Sequence, residues 1–159
     1  IFLSACRTST EDRIKDQVSS ILKQRFIRDK EKIEEFKIDS IRYNVCDQAE
    51  FYSVKFDGIL KADKSSYDLN GEIYDLYSTT RNDTGMAGAL EARETANREM
   101  MQIYDIIEKA DTLENYYEVD AHIIAKTDKE SYNESRKIFL NRKGLTEAPF
   151  DSEKILGNK

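Results

Sequence analysis

The sequence predicts an α+β protein: an antiparallel sheet of about four strands, built from two hairpins, with helices packed on one face. Two observations support this fold class. Apolar residues recur at helical spacing in several stretches, whereas other stretches alternate apolar and polar residues as half-buried strands do. The order of these stretches is helix, hairpin, helices, hairpin, which fits a two-layer arrangement around one core.

The first helix is predicted from about Ser9 to Lys30. Hydroxyl residues at 8–10, followed by Glu11 and Asp12, form a helix start signal, because they cap the unpaired amides of the first turn. One face of this helix is apolar and needs a core to lie on. That face carries Ile14, Val18, Ile21, Leu22 and Phe26.

The first hairpin is predicted over residues 36–60. Ile41, Tyr43 and Val45 alternate with polar residues, which predicts a strand over 36–45. The apolar run "FYSVKFDGIL" at 51–60 predicts its antiparallel partner, with residues 47–50 as the turn.

The middle of the chain is predicted to be helical in two pieces. Residues 66–78 place tyrosines near helical spacing, residues 79–85 are a break, and a long helix runs from Met86 to about Asp111. The stretch "GMAG" at 85–88 predicts a helix start of small residues packed closely on a neighbour.

The second hairpin contains the clearest strand. Residues 117–125 alternate strictly, which places Ile123 toward the core and His122 toward solvent. A polar turn over 127–135 leads to the predicted partner strand over 136–143.

The N-terminal residues carry the most specific motif. Leu3-Ser4-Ala5-Cys6 follows an apolar stub and precedes a polar stretch, and it resembles the lipobox of bacterial lipoproteins. The resemblance implies that the thiol of Cys6 takes a diacylglycerol and that the signal peptide is cut just before it. It also implies a lipid-anchored protein of the bacterial cell envelope, on the periplasmic face or the cell surface. The alternatives are a buried strand or a cloning remnant.

These features divide the chain into three parts: a signal-peptide remnant, lipidation site and tether (1–8), a single α+β domain (9–150) and a polar tail (151–159). We expect that the sequence begins inside a longer precursor. Cys46 lies in an apolar run and is predicted to be a buried free thiol. The alternative is a disulfide with Cys6, which lipidation would exclude.

Composition argues against several classes of function. The net charge is −6, and no basic stripe offers the phosphate contacts that nucleic acids require. The apolar stretches are shorter than the ~20 residues of a membrane-spanning helix. No cofactor or metal motif is recognised. Asp63, Asp68, Gly71 and Asp75 only faintly resemble a calcium loop, and a solvated loop or helix face is the preferred interpretation.

The sequence therefore predicts a lipid-anchored envelope protein with a non-catalytic binding or assembly domain. Its partners would be the membrane, through the N-terminal lipid, and a protein or small molecule. The alternative is a small carboxylate-dependent enzyme with an NTF2-like cavity, for which Glu118, Asp120 and His122 are the nominated group. The element order loosely resembles cystatin-like and NTF2-like folds.

Overall fold

The structure, a computed structural model, describes residues 9–157 and confirms the α+β class. The described chain forms two compact units. The first runs up to Asp47 and includes Glu114–Pro149; the second comprises Gln48–Leu113 and the chain from Phe150. The prediction of one domain over 9–150 stays a prediction. The elements in order are α1 (Thr10–Arg28), β1 (Ile33–Cys46), α2 (Gln48–Thr80), α3 (Asp83–Glu108), β2 (Tyr116–Thr127), β3 (Ser131–Asn141) and α4 (Ser152–Leu156).

Helix α1 confirms the first predicted helix and its start signal. The Ser9 hydroxyl accepts a hydrogen bond from the Asp12 amide (3.1 Å), and the Asp12 carboxylate accepts one from the Ser9 amide (3.2 Å). This reciprocal capping box satisfies two amides that the first turn would otherwise leave unpaired. All five predicted apolar residues of the helix are buried, so α1 covers one face of the sheet.

The sheet has three strands in the order β1-β2-β3, and both pairings are antiparallel. Its core face confirms the predicted alternation, because Ile123 is completely buried and His122 lies on the other face. Ile38 of β1 lies opposite Ile123, and Arg136 of β3 lies opposite Ala121. The core side of β2 is formed by Val119, Ala121, Ile123 and Ala125, all buried against α1.

The predicted strand over 51–60 is wrong, since this segment lies within helix α2. The first hairpin therefore does not exist, and the described chain has three strands instead of four. Aromatic residues favour strands intrinsically, but here Phe51 and Phe56 are buried in a cluster with Phe150. The rings of Phe56 and Phe150 meet edge to face, with centroids 5.0 Å apart. This packing outweighs the local preference for a strand.

Helices α2 and α3 form an antiparallel hairpin, and α2, with 33 residues, is about 50 Å long. A break lies within the predicted range 79–85 but is limited to Arg81 and Asn82. Helix α2 ends at Thr80, Arg81 adopts a left-handed conformation (φ 54°), and Asn82 caps α3, which begins at Asp83 and not at Met86 as predicted. The Asn82 side chain accepts a hydrogen bond from the Gly85 amide at 2.9 Å. Gly85 packs against the Tyr77 ring, as predicted for a helix start of small residues.

Candidate functional site

The group nominated for catalysis lies on the outward face of β2, but its members are engaged with β3. Glu118 forms an ion pair with Lys137, whose ammonium is also 3.8 Å from the Asp120 carboxylate. The hydrogen bond to Glu118 raises the pKa of Lys137. His122 contacts Asn133 through Nε2 at 2.8 Å.

These contacts are cross-strand pairs on an exposed surface. Pairs of this kind contribute about 0.2–1 kcal/mol each to stability. General acid–base catalysis instead needs a group whose pKa is tuned by burial and whose partner is a reacting atom. The arrangement of Glu118, Asp120 and His122 therefore fits a solvated sheet face better than an active site.

An open groove between α2 and α3 brings together two carboxyl groups that are far apart in sequence. Asp63 comes from α2 and Glu99 from α3, and the groove holds about 430 Å³. Small side chains along α3 keep it open. We call it the hairpin groove; it is lined by Asp63, Ser66, Gly88, Glu91, Ala92, Thr95, Ala96 and Glu99.

The electrostatics of the hairpin groove centre on Asp63. Burial raises the pKa of this carboxyl group, and the nearby Glu99 carboxyl raises it further. Asp63 Oδ2 is shielded from solvent and has no hydrogen-bond partner among the described residues. A carboxyl group in this setting holds its proton to a higher pH than an ordinary aspartate, which makes Asp63 a candidate proton donor.

A second cavity of about 320 Å³ adjoins the hairpin groove, with Thr95 and Glu99 lining both. Arg98 and Gln102 of α3 add polar groups, and Ile103 provides an apolar wall. The Gln102 side chain donates a hydrogen bond to the Leu156 carbonyl (2.6 Å), which ties α4 to α3. Glu99 therefore borders both the hairpin groove and the second cavity.

The other predicted residues do not join this site. Cys6 and its motif lie outside the described residues. Cys46 is buried at the end of β1, as predicted, and forms no disulfide within the described chain. The segment that faintly resembles a calcium loop is continuous helix in α2. Within residues 9–157, no three histidine, cysteine or acidic side chains are grouped to hold a metal ion.

Sequence reasoning named Asp63 as one acid among several and did not name Glu99. The wrong strand prediction hid the fact that α2 is continuous from Gln48 to Thr80, so its pairing with α3 was not expected. The sequence does contain a signal for one continuous helix. A series of residues at intervals of three or four runs through the predicted strand at 51–60 and on through the predicted helix at 66–78. The series is Phe56, Ile59, Asp63, Tyr67, Asn70, Tyr74 and Tyr77.

Comparisons of the chain with protein-family models, with curated proteins and with solved structures find no match. Over residues 9–157, no helix combines the length and the apolar character needed to cross a membrane.

Proposed function

We propose that this chain is a bacterial envelope lipoprotein, anchored through Cys6, whose folded part binds a partner and catalyses no reaction. The observation that carries the proposal is Leu3-Ser4-Ala5-Cys6, placed immediately before a polar stretch and the capped start of α1. Several acyl chains on one cysteine give stable anchoring, because each buried methylene contributes about 0.8 kcal/mol. The polar residues after Cys6 would separate the folded part from the lipid.

The surface of the helical hairpin supports a binding role. Six large apolar side chains on α2 and α3 are exposed, which leaves both helices with apolar surface in contact with water. A binding protein needs such a surface and no group with a tuned pKa. The six are Val54, Leu69, Leu76, Leu90, Met101 and Tyr104.

The cystatin-like or NTF2-like resemblance belongs to this proposal and concerns the first unit. There, α1 packs on an antiparallel meander formed by β1, β2 and β3. A helix on a curved antiparallel sheet is the common element of both folds, and it is compatible with binding at the outward sheet face.

The lipid anchor is tested by expressing the complete gene in a bacterial host with Cys6→Ala. We expect the variant to leave the membrane fraction after a high-salt wash, while its circular dichroism shows the same fold. Cys46→Ala is the matched control and should stay with the membrane, because Cys46 is buried in β1. Membrane retention of the Cys6→Ala protein equal to that of the wild type would refute the anchor.

The hairpin groove favours a second candidate, a carboxylate-dependent enzyme. Its support is the raised pKa of Asp63 beside Glu99, since two neighbouring carboxyl groups at an open cavity are a common basis for acid–base chemistry. The test is a panel of chromogenic ester, glycoside and phosphate substrates. Activity that is lost in both Asp63→Asn and Glu99→Gln, and retained in Asp75→Asn, would establish the enzyme and exclude the binding protein.

A further inference from the structure

The outer face of α2, opposite the side that packs on α3, carries an exposed apolar stripe. Val54, Leu69 and Leu76 are 41%, 55% and 61% exposed, and their helical positions place them on one side of the helix. Gly58 and Ser65, also exposed, lie between Val54 and Leu69 on the same side. The stripe therefore has small residues in its first part, after Val54, and two leucines in its second part. The two side chains of α2 that are fully buried, Phe51 and Phe56, are near its start.

The charges along this face are divided at Ser65. The exposed lysines, Lys61 and Lys64, precede it. The exposed acids Asp68, Glu72 and Asp75 follow it, and one further exposed acid, Asp57, is held by Lys61 at 2.7 Å. The first half of the face is therefore basic in the turn that directly precedes Ser65, and the second half is acidic.

A second copy of α2 in antiparallel orientation complements this pattern in both shape and charge. A two-fold axis at Ser65 sets Leu76 opposite Val54, which makes an apolar contact, and sets Glu72 opposite Gly58, where the absence of a side chain leaves room for the longer one. Lys61 then lies level with Leu69 of the other copy, where Asp68 and Glu72 are within reach. A parallel pair would instead set like charges against each other, which selects the antiparallel orientation.

We propose that the protein forms a symmetric dimer through the outer face of α2, with the two helices antiparallel about Ser65. The contact from Val54 to Leu76 extends over about 33 Å of helix. The exposed pairs between Lys61 and Asp57 and between Lys64 and Asp68 hold their lysines weakly, so these side chains are available to exchange partners. The inference does not depend on the lipid anchor, because it uses only the helical hairpin.

The test uses the full 159-residue chain, produced without lipidation, and analytical ultracentrifugation. We expect the wild type to be a dimer in low salt and to dissociate as the salt concentration rises. Leu69→Lys should weaken the dimer by about tenfold or more, because it replaces an apolar side chain of the contact by a lysine that faces Lys61 of the other copy. Leu113→Lys is the matched control, since Leu113 has a similar exposure to Leu69 (63% against 55%) but lies outside α2, and it should leave the dimer unchanged.

Charge reversal tests the antiparallel orientation directly. The double variant Lys61→Glu/Lys64→Glu makes the whole face acidic, and Asp68→Lys/Glu72→Lys makes it basic. Each should be monomeric alone, and an equimolar mixture should form a heterodimer. Glu94→Lys/Glu108→Lys on α3 is the control and should behave as the wild type. A monomeric wild type at the highest soluble concentration, or a mixture that stays monomeric, would overturn the proposal and leave this face to a different partner.

Discussion

The contact between Gly85 and Tyr77 gives a sharp test of the hairpin, through the substitution Gly85→Ala. Gly85 is in the first turn of α3, and Tyr77 is near the end of α2. A Cβ atom added at Gly85 would lie 2.6–2.8 Å from three carbon atoms of the Tyr77 ring. Carbon atoms in contact are normally ~3.5 Å apart or more, so the ring must move by nearly 1 Å or the helices must separate.

The magnitude follows from two opposing effects. Overpacking of this kind costs about 1–3 kcal/mol, whereas replacing glycine by alanine within a helix gains about 0.8–1.0 kcal/mol. The same gain without the clash is expected for Gly88→Ala, because no atom lies within 4 Å of a Cβ at Gly88. The difference in the free energy of unfolding between the two variants therefore isolates the clash, and we expect it to be about 1–3 kcal/mol.

The assay is urea denaturation followed by the circular dichroism of the helices, with wild type, Gly85→Ala and Gly88→Ala measured side by side. Gly88→Ala should shift the midpoint to higher urea, and Gly85→Ala should fall clearly below it. Tyr77→Ala/Gly85→Ala provides a second comparison. Measured against Tyr77→Ala alone, alanine at 85 should now raise the midpoint, because the ring that it would meet is absent. Equal midpoints for the two single variants would show that Tyr77 does not pack on Gly85 as described.

Three further predictions concern stability. Ile123→Ala should cost about 2–5 kcal/mol in the free energy of unfolding, whereas His122→Ala on the outward face should change it by about 0.5 kcal/mol or less; equal losses in urea denaturation would contradict the assignment of the sheet faces. Asp63→Asn should raise the unfolding midpoint at neutral pH. The pKa of Asp63 is raised in the folded state, so the wild-type protein loses stability as the pH rises from the ordinary aspartate pKa through the folded-state pKa, and asparagine removes this loss. That gain should shrink as the pH drops below this window, and a gain that is constant with pH would refute the linkage. Arg81→Gly should stabilise the protein by about 1 kcal/mol in thermal unfolding, because a left-handed residue at a helix end favours glycine; a lower melting temperature would contradict it.

Sequence reasoning predicted the elements that follow from local pattern. The start of α1 follows from the hydroxyl residues at 8–10 and the acids Glu11 and Asp12, because capping chemistry involves residues within one helical turn of each other. The two faces of β2 were identified at His122 and Ile123, because a strand that is covered on one side alternates strictly. In both cases the information lies within a few residues of the element.

The remaining features depend on contacts between distant residues. The segment at 51–60 has aromatic residues that suit a strand, and its helical state is stabilised by packing with Phe150, almost a hundred residues later. The predicted strand at 136–143 begins at Ser131 in the structure, because its polar first half pairs with β2 without showing a strong apolar alternation. The meeting of Asp63 with Glu99 required both the full length of α2 and its antiparallel pairing with α3.

The way in which the chain leaves and rejoins the sheet has a consequence for its evolution and engineering. Strands β1 and β2 remain paired up to Cys46 and Tyr116, and the chain between them departs and returns at a single point. There the Gln48 amide donates to the Asp111 carbonyl at 3.1 Å, and the Asp111 amide donates to the Gln48 side chain at 2.9 Å. Insertions are best tolerated where the two ends lie close together, so the α2–α3 hairpin is a replaceable module. Whole helical turns can be added to or removed from its far end without changing the strand register, and a short turn in its place would close the same sheet.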